Sequence, residues 1–122
     1  MLVMISGSRT VKSLTADAVA RLEKLVSLGA EIVVGDCYGA DSLVQVWLKT
    51  AGYEKVTVAH VGDSPRFNAG FATQRVVGSQ QRCKDVWMCG VADYGLAIWD
   101  GKSVGTQANI MRLEGRCRVV MV

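Results

Sequence analysis

The stretch Tyr94-Gly95-Leu96-Ala97-Ile98-Trp99-Asp100-Gly101-Lys102-Ser103-Val104-Gly105-Thr106 reads as a strand running into a helix through a turn of glycines and hydroxyls. Tyr94 to Trp99 carry no polar alternation, which is what a strand covered on both faces requires. Asp100-Gly101 breaks that run. Residues 106–114 then place Ile110 and Leu113 at helical spacing, and Gly115 supplies a natural stop.

The same apolar-run-then-glycine pattern recurs in both directions along the chain. Leu2 to Ile5 ends in Ser6-Gly7-Ser8, Glu31 to Val34 in Gly35-Asp36, and Val56 to Val61 in Gly62-Asp63. Arg118 to Val122 is a fifth run. Helical patterns lie between them. Residues 15–28 align Ala18, Val19, Leu22, Leu25 and Val26 ahead of Gly29, and residues 40–51 align Leu43, Val44, Trp47 and Leu48 ahead of Gly52. Residues 79–91 carry Cys83, Val86, Trp87 and Val91 with weaker periodicity. The alternation β-α-β-α-β-α-β-α-β predicts a Rossmann-like, three-layer α/β fold. It calls for a five-stranded parallel sheet in the order 3-2-1-4-5, formed by one domain over residues 1–122. Ligands in such sheets bind beyond the C-terminal strand ends, where the winding reverses between the first and fourth strands.

The chain has 122 residues, half of them hydrophobic, which suits one packed domain. Fourteen basic against 11 acidic residues leave a net charge of +3, too little to mark a nucleic-acid surface. A lone histidine, His60, and cysteines at 37, 83, 89 and 117 without a CxxC pair argue against a metal site. Apolar neighbours around the cysteines predict buried free thiols in a reducing cytoplasm, with Cys37 the accessible exception. No stretch approaches the length of a membrane span, and the apolar start is too short for a signal peptide. An apolar last strand at a sheet edge needs covering, which points to a homodimer.

Three loops carry the candidate site. Ser6-Gly7-Ser8-Arg9 offers free amides, two hydroxyls and a guanidinium to a phosphate, and Gly7 permits a sharp turn and close ligand approach. Gly101, Lys102, Ser103, Gly105 and Thr106 make an anion cradle at a helix start, where Ser103 or Thr106 could equally cap the helix. A P-loop is ruled out, because GxxxxGK[ST] needs glycine where Leu96 stands. In Gly35-Asp36-Cys37-Tyr38-Gly39-Ala40-Asp41, Asp36 is assigned to ribose, base or loop-ordering roles, with Gly35 and Gly39 beside it. Asp41 fits helix capping as well as anything else. The irregular stretch 62–78 is either a lid or a plain surface loop, with Arg66 and Asn68 as rim residues. Lys84-Asp85, with Arg82, reads as a surface pair whose position could bring it to the rim.

These segments in this order resemble the SLOG superfamily, the Rossmann-like group that contains DprA/Smf and the LOG cytokinin-activating proteins. The resemblance is closest to its small, single-domain YspA-like bacterial branch. It rests on ISGSR, GDCYGAD, the Asn68-Ala69-Gly70 that follows Pro65-Arg66, KDVWM and ADYGLAIWDGKSVGTQANI, together most of the chain. It implies a small-molecule site for a nucleotide or nucleotide-derived ligand such as an ADP-ribose-like molecule, with phosphate at Gly101–Thr106 and Ser6–Arg9. The group includes both N-glycosidases acting on nucleoside monophosphates and non-catalytic sensors. LOG enzymes carry PGGxGTxxE with a catalytic glutamate. Here Lys102-Ser103 replace the paired glycines and Asn109 replaces the glutamate, and Asn is no general acid or base. The expectation is therefore a binding or sensor domain that requires no cofactor. Hydrolysis is the alternative, with Asp36, Asp85 and Asp100 as its carboxylates, and a DNA-binding module is the remote third reading.

Overall fold

The computed structural model describes residues 1–122. Its elements in chain order are β1 (Leu2–Gly7), α1 (Ala16–Ser27), β2 (Glu31–Val34), α2 (Ala40–Thr50), β3 (Val56–His60), β4 (Ala72–Arg75), α3 (Gln81–Val91), β5 (Tyr94–Trp99), α4 (Val104–Arg112) and β6 (Cys117–Met121). All strand pairs are parallel, in the order β4-β3-β2-β1-β5-β6. No helix is long and apolar enough to cross a membrane.

The Rossmann-like α/β arrangement is as the alternation predicts, but the sheet has six strands rather than five. The added strand, β4, lies inside the irregular 62–78 stretch and pairs with β3 from Thr57↔Ala72 to His60↔Arg75. All four of its residues are exposed, so it has no apolar signal. It is held at the sheet edge by its backbone. The remaining strands keep the expected relative order, with β6 at the opposite edge.

Two apolar clusters sandwich the sheet. Ile5, Ile32, Val34, Val58, Leu96 and Ile98 face Ala18 and Leu22 of α1 and Val44 and Leu48 of α2. On the other face, Met4, Val33 and Ala59 meet Met88 and Cys89 of α3 and Leu113 beyond α4. The period of α1 and α2 therefore placed their buried faces. The stripe expected on α3 holds at Cys83 and Trp87, which pack half-buried against this second cluster, and fails at its other two positions. Val86 and Val91 are exposed, and Lys84, Met88 and Cys89 turn inward instead. All four cysteines are free thiols, but only Cys89 is buried; Cys83 and Cys117 are half-buried like Cys37.

Gly7 is the last residue of β1 rather than the apex of a turn. A Cβ there would collide with that of Ala40 and stand 2.6 Å from the Ile98 carbonyl oxygen. Its lack of a side chain lets α2 and β5 close on β1. Gly7→Ala is expected to cost about 1–3 kcal/mol through overpacking, read as a lower denaturation midpoint.

Candidate functional site

Where β1 and β5 end side by side, their loops and the start of α4 enclose a polar crevice of about 340 Å³. It opens at the C-terminal end of the sheet, at the switch between β1 and β5. Ser8 organises one wall. It is buried, its N–H donates to the Ile98 carbonyl (2.9 Å), and its carbonyl accepts from Ala40 N at the start of α2 (3.2 Å). Its hydroxyl accepts from Asp100 N (3.0 Å) and shares a 2.7 Å hydrogen bond with the Ser103 hydroxyl. The two glycine-and-hydroxyl loops are thus joined directly.

Asp100 shapes the second loop. One carboxylate oxygen accepts from the backbone N–H groups of Lys102 and Ser103, at 2.8 Å each, and the other from the Thr10 hydroxyl, at 2.8 Å. The Ser103 and Lys102 amides, with Thr10, hold this carboxyl well below the usual range. An acid so fixed as an anion is a turn-former and no proton donor. Ser103 makes no capping hydrogen bond. The N–H groups of Val104, Gly105 and Thr106 consequently have no partner within the chain. Gly105 and Thr106 line the crevice, and a Cβ on Gly105 would meet nothing within 4 Å. Gly101 adopts φ 78°, and neither it nor Lys102 lines the crevice.

Below the rim lies a network of buried charge. Asp36 is fully buried. Its Oδ1 accepts from Arg66 Nη2 (2.8 Å) and Lys84 Nζ (3.3 Å), and its Oδ2 from Arg66 N (2.9 Å). Burial alone would raise its pKa, but Arg66 and Lys84 outweigh it and hold the carboxyl at about 2. With three donors on its two oxygens and no place on the crevice lining, Asp36 orders the 62–78 loop rather than facing a ribose. Lys84 is likewise no rim or lid residue. It is buried inside the site, where it bonds Asp36 and lines the crevice. Arg66 does line the crevice, whereas Asn68 stays in its own turn, bonded to Gly70, Phe71 and no part of the site.

Two other carboxylates face the crevice. Asp41, at the start of α2, accepts from Cys37 N (3.2 Å), and burial pushes its carboxyl up to about 7 against the pull of Lys84. Burial also raises Asp85, with Lys84 and Arg112 pulling the other way. Of the carboxylates expected to serve catalysis, Asp85 alone both lines the site and is shifted towards its protonated form. Asp41, taken from sequence as a helix cap, joins it.

Gly35 and Gly39 serve packing rather than ligand contact. A Cβ on Gly35 would lie 3.0 Å from Lys84 Nζ, and one on Gly39, at φ 90°, would lie 2.6 Å from the Arg9 backbone. Ser6, Gly7 and Arg9 all line the crevice. Sequence reasoning missed Thr10 and Gln81. The latter, at the start of α3, brings a buried side-chain oxygen without a hydrogen-bond partner. Asn109 lines the innermost wall, its oxygen accepting from Arg112 Nη1 (2.8 Å). No family model, curated protein or solved structure matches the chain.

Proposed function

We propose that the crevice binds a nucleotide or nucleotide-derived ligand, ADP-ribose-like or a nucleoside monophosphate, and that the chain is a SLOG-type binding or sensor domain. The observation that carries this reading is the convergence on one crevice of the unpartnered amides at the start of α4, the hydroxyls of Ser8, Thr10 and Ser103, and the cations Arg9 and Arg66. Amides at a helix start favour an anion, and guanidinium adds charge-assisted hydrogen bonds. Only one of the 16 lining residues is apolar, which speaks against an apolar ligand. Tyr38 and Phe67, with ring centroids 5.7 Å apart, flank Cys37 and Arg66 of the lining and offer a stacking surface for a base.

Calorimetric titration with AMP, ADP-ribose and NAD tests the reading. Binding of at least one is expected. Gly105→Ala should leave stability equal or up to about 1 kcal/mol higher, because alanine is the better helix former. It should weaken the ligand at least ten-fold, because its methyl group enters the anion position. Failure of every phosphorylated nucleoside to bind the wild-type protein would overturn the proposal.

One observation favours hydrolysis as a second reading. Asp41 and Asp85 line the same crevice, and burial favours the protonated form of each. A carboxyl such as that of Asp41, pushed up to about 7, can deliver its proton to a departing base. Free base released from purine monophosphates, and lost in Asp41→Asn and Asp85→Asn, would establish this reading over simple binding.

A further inference from the structure

A second concavity lies at the other end of the sheet. It is a groove of about 530 Å³ between α1 and the N-terminal ends of β5 and β6. Val3 lines it, and the crevice begins at Ser6 on the same strand. At about 3.3 Å per residue the two sites are roughly 10–15 Å apart through the sheet. Nothing in the proposed nucleotide site uses it.

Its chemistry is of two kinds. The floor is apolar: Val3 and Leu96 from the sheet, Leu25 from α1 and Leu28 just past its end. Leu28 and its neighbours Met1 and Tyr94 are each about half exposed or more, an unusual concentration of large apolar side chains left in water. The rim is cationic. Arg21, Lys24, Arg116 and Arg118 line the groove and no carboxylate does. Arg21, Lys24, Leu25 and Leu28 follow helical spacing along one face of α1, so that face carries both parts. Two of the cations are already placed. Arg116 Nη1 donates to the carbonyls of Ala92 and Asp93, 3.0 Å each, which anchors the guanidinium and leaves its other N–H groups free to bind. Arg21 has a buried Nε that donates to nothing, with Asp17 at 3.6 Å its nearest anion.

We propose that this groove binds a small amphipathic anion, with an aliphatic or aromatic body on the leucines and a carboxylate or similar oxyanion on the arginines. Charge complementarity selects the anion. A two-fold pairing of this face with a second copy would set four cations against four cations, so a dimer is not its occupant. Size selects a small molecule. The volume falls within the roughly 300–1,000 Å³ of small-ligand sites. The exposed apolar surface is that of three side chains, far short of a standard protein interface.

The test uses 8-anilinonaphthalene-1-sulfonate as the fluorescent probe and laurate, below its micellar concentration, as competitor. The probe should brighten on the folded protein and be displaced by laurate, while dodecanol, the neutral counterpart, should compete at least ten-fold more weakly. The double variant Lys24→Glu, Arg118→Glu changes two exposed side chains and should fold normally by circular dichroism. Its affinity for laurate should fall at least ten-fold. Backbone amide shifts on laurate titration should move at Leu25, Leu28 and Leu96 and stay still at Ser6 to Thr10. Equal binding by the wild-type and double-variant proteins, shifts confined to the crevice, or no displacement by laurate would each overturn the proposal. So would binding to phosphatidylglycerol vesicles without binding of free laurate, which would make the face a lipid-surface contact. Nucleotide binding is read by the separate titration with AMP, ADP-ribose and NAD, so the two proposals fail by different measurements.

Discussion

Replacing Asp36 with alanine is expected to destabilise the protein by about 3–5 kcal/mol, read as a lowered midpoint in urea unfolding. The carboxylate has no solvent exposure, and three donors converge on it. Its removal strands two cations unequally. Arg66 is about one-third exposed and can turn towards water, but the Lys84 side chain, at 5%, cannot. A buried ammonium group that loses its one hydrogen-bonded carboxylate costs more than the pair contributed when intact, with Asp41 and Asp85 nearby offsetting only part of it. The 62–78 loop also loses its tether at Arg66 N, so the crevice wall should loosen and any ligand should bind more weakly. Lys84→Met provides the control. It leaves Asp36 paired to Arg66, and should cost clearly less than Asp36→Ala. If the two variants lose the same stability, the asymmetry argued here is wrong. The pH dependence follows from the sign of the shift. Asp36 is depressed from 3.8 to about 2, so its contribution is complete above pH 3.8 and disappears as pH falls towards 2. That step is worth about 2 kcal/mol.

Asp41→Asn should act in the opposite sense and stabilise the protein, but only at neutral and alkaline pH. Burial raises the Asp41 carboxyl from 3.8 to about 7. Below pH 3.8 folded and unfolded chains both carry the proton, and the group is neutral to stability. Between 3.8 and 7 the unfolded chain releases it while the native protein holds it, so stability falls as pH rises. Above 7 the full penalty stands, on the order of 4 kcal/mol at about 1.4 kcal/mol per pKa unit. Asparagine keeps an oxygen for Cys37 N and cannot ionise. Lys84, which loses one anionic neighbour, trims the gain. Paired denaturation curves should show the variant more stable by about 2–4 kcal/mol at pH 8 and within about 0.5 kcal/mol of wild type at pH 4. An equal difference at both pH values would mean that Asp41 does not carry its proton in the fold. An acid that destabilises its own protein and faces the crevice is placed for chemistry there rather than for stability.

The amino-acid sequence by itself determined the class of fold, the relative order of five strands and the joining of Ser6–Arg9 to Gly101–Thr106. Four of those strands are apolar runs closed by a glycine or a polar turn, and burial on both faces of a parallel sheet imposes that pattern locally. It also determined which faces of α1 and α2 are buried, because a 3.6-residue period survives in the spacing of Ala18, Leu22, Val44 and Leu48. Tertiary structure alone decided the sixth strand. Ala72 to Arg75 have no buried side chain, and only the free edge of β3 makes them a strand. It alone decided the face of α3. Lys84-Asp85 has the composition of a surface pair, and Lys84 turns inward because Asp36, 48 residues earlier, supplies a buried counter-charge. The roles of the carboxylates were hidden for the same reason. Asp36, Asp41, Asp85 and Asp100 are one residue type in the sequence, and become a structural hub, two acids shifted towards the protonated form and a turn-former only through the cations, amides and burial that distant segments bring to each.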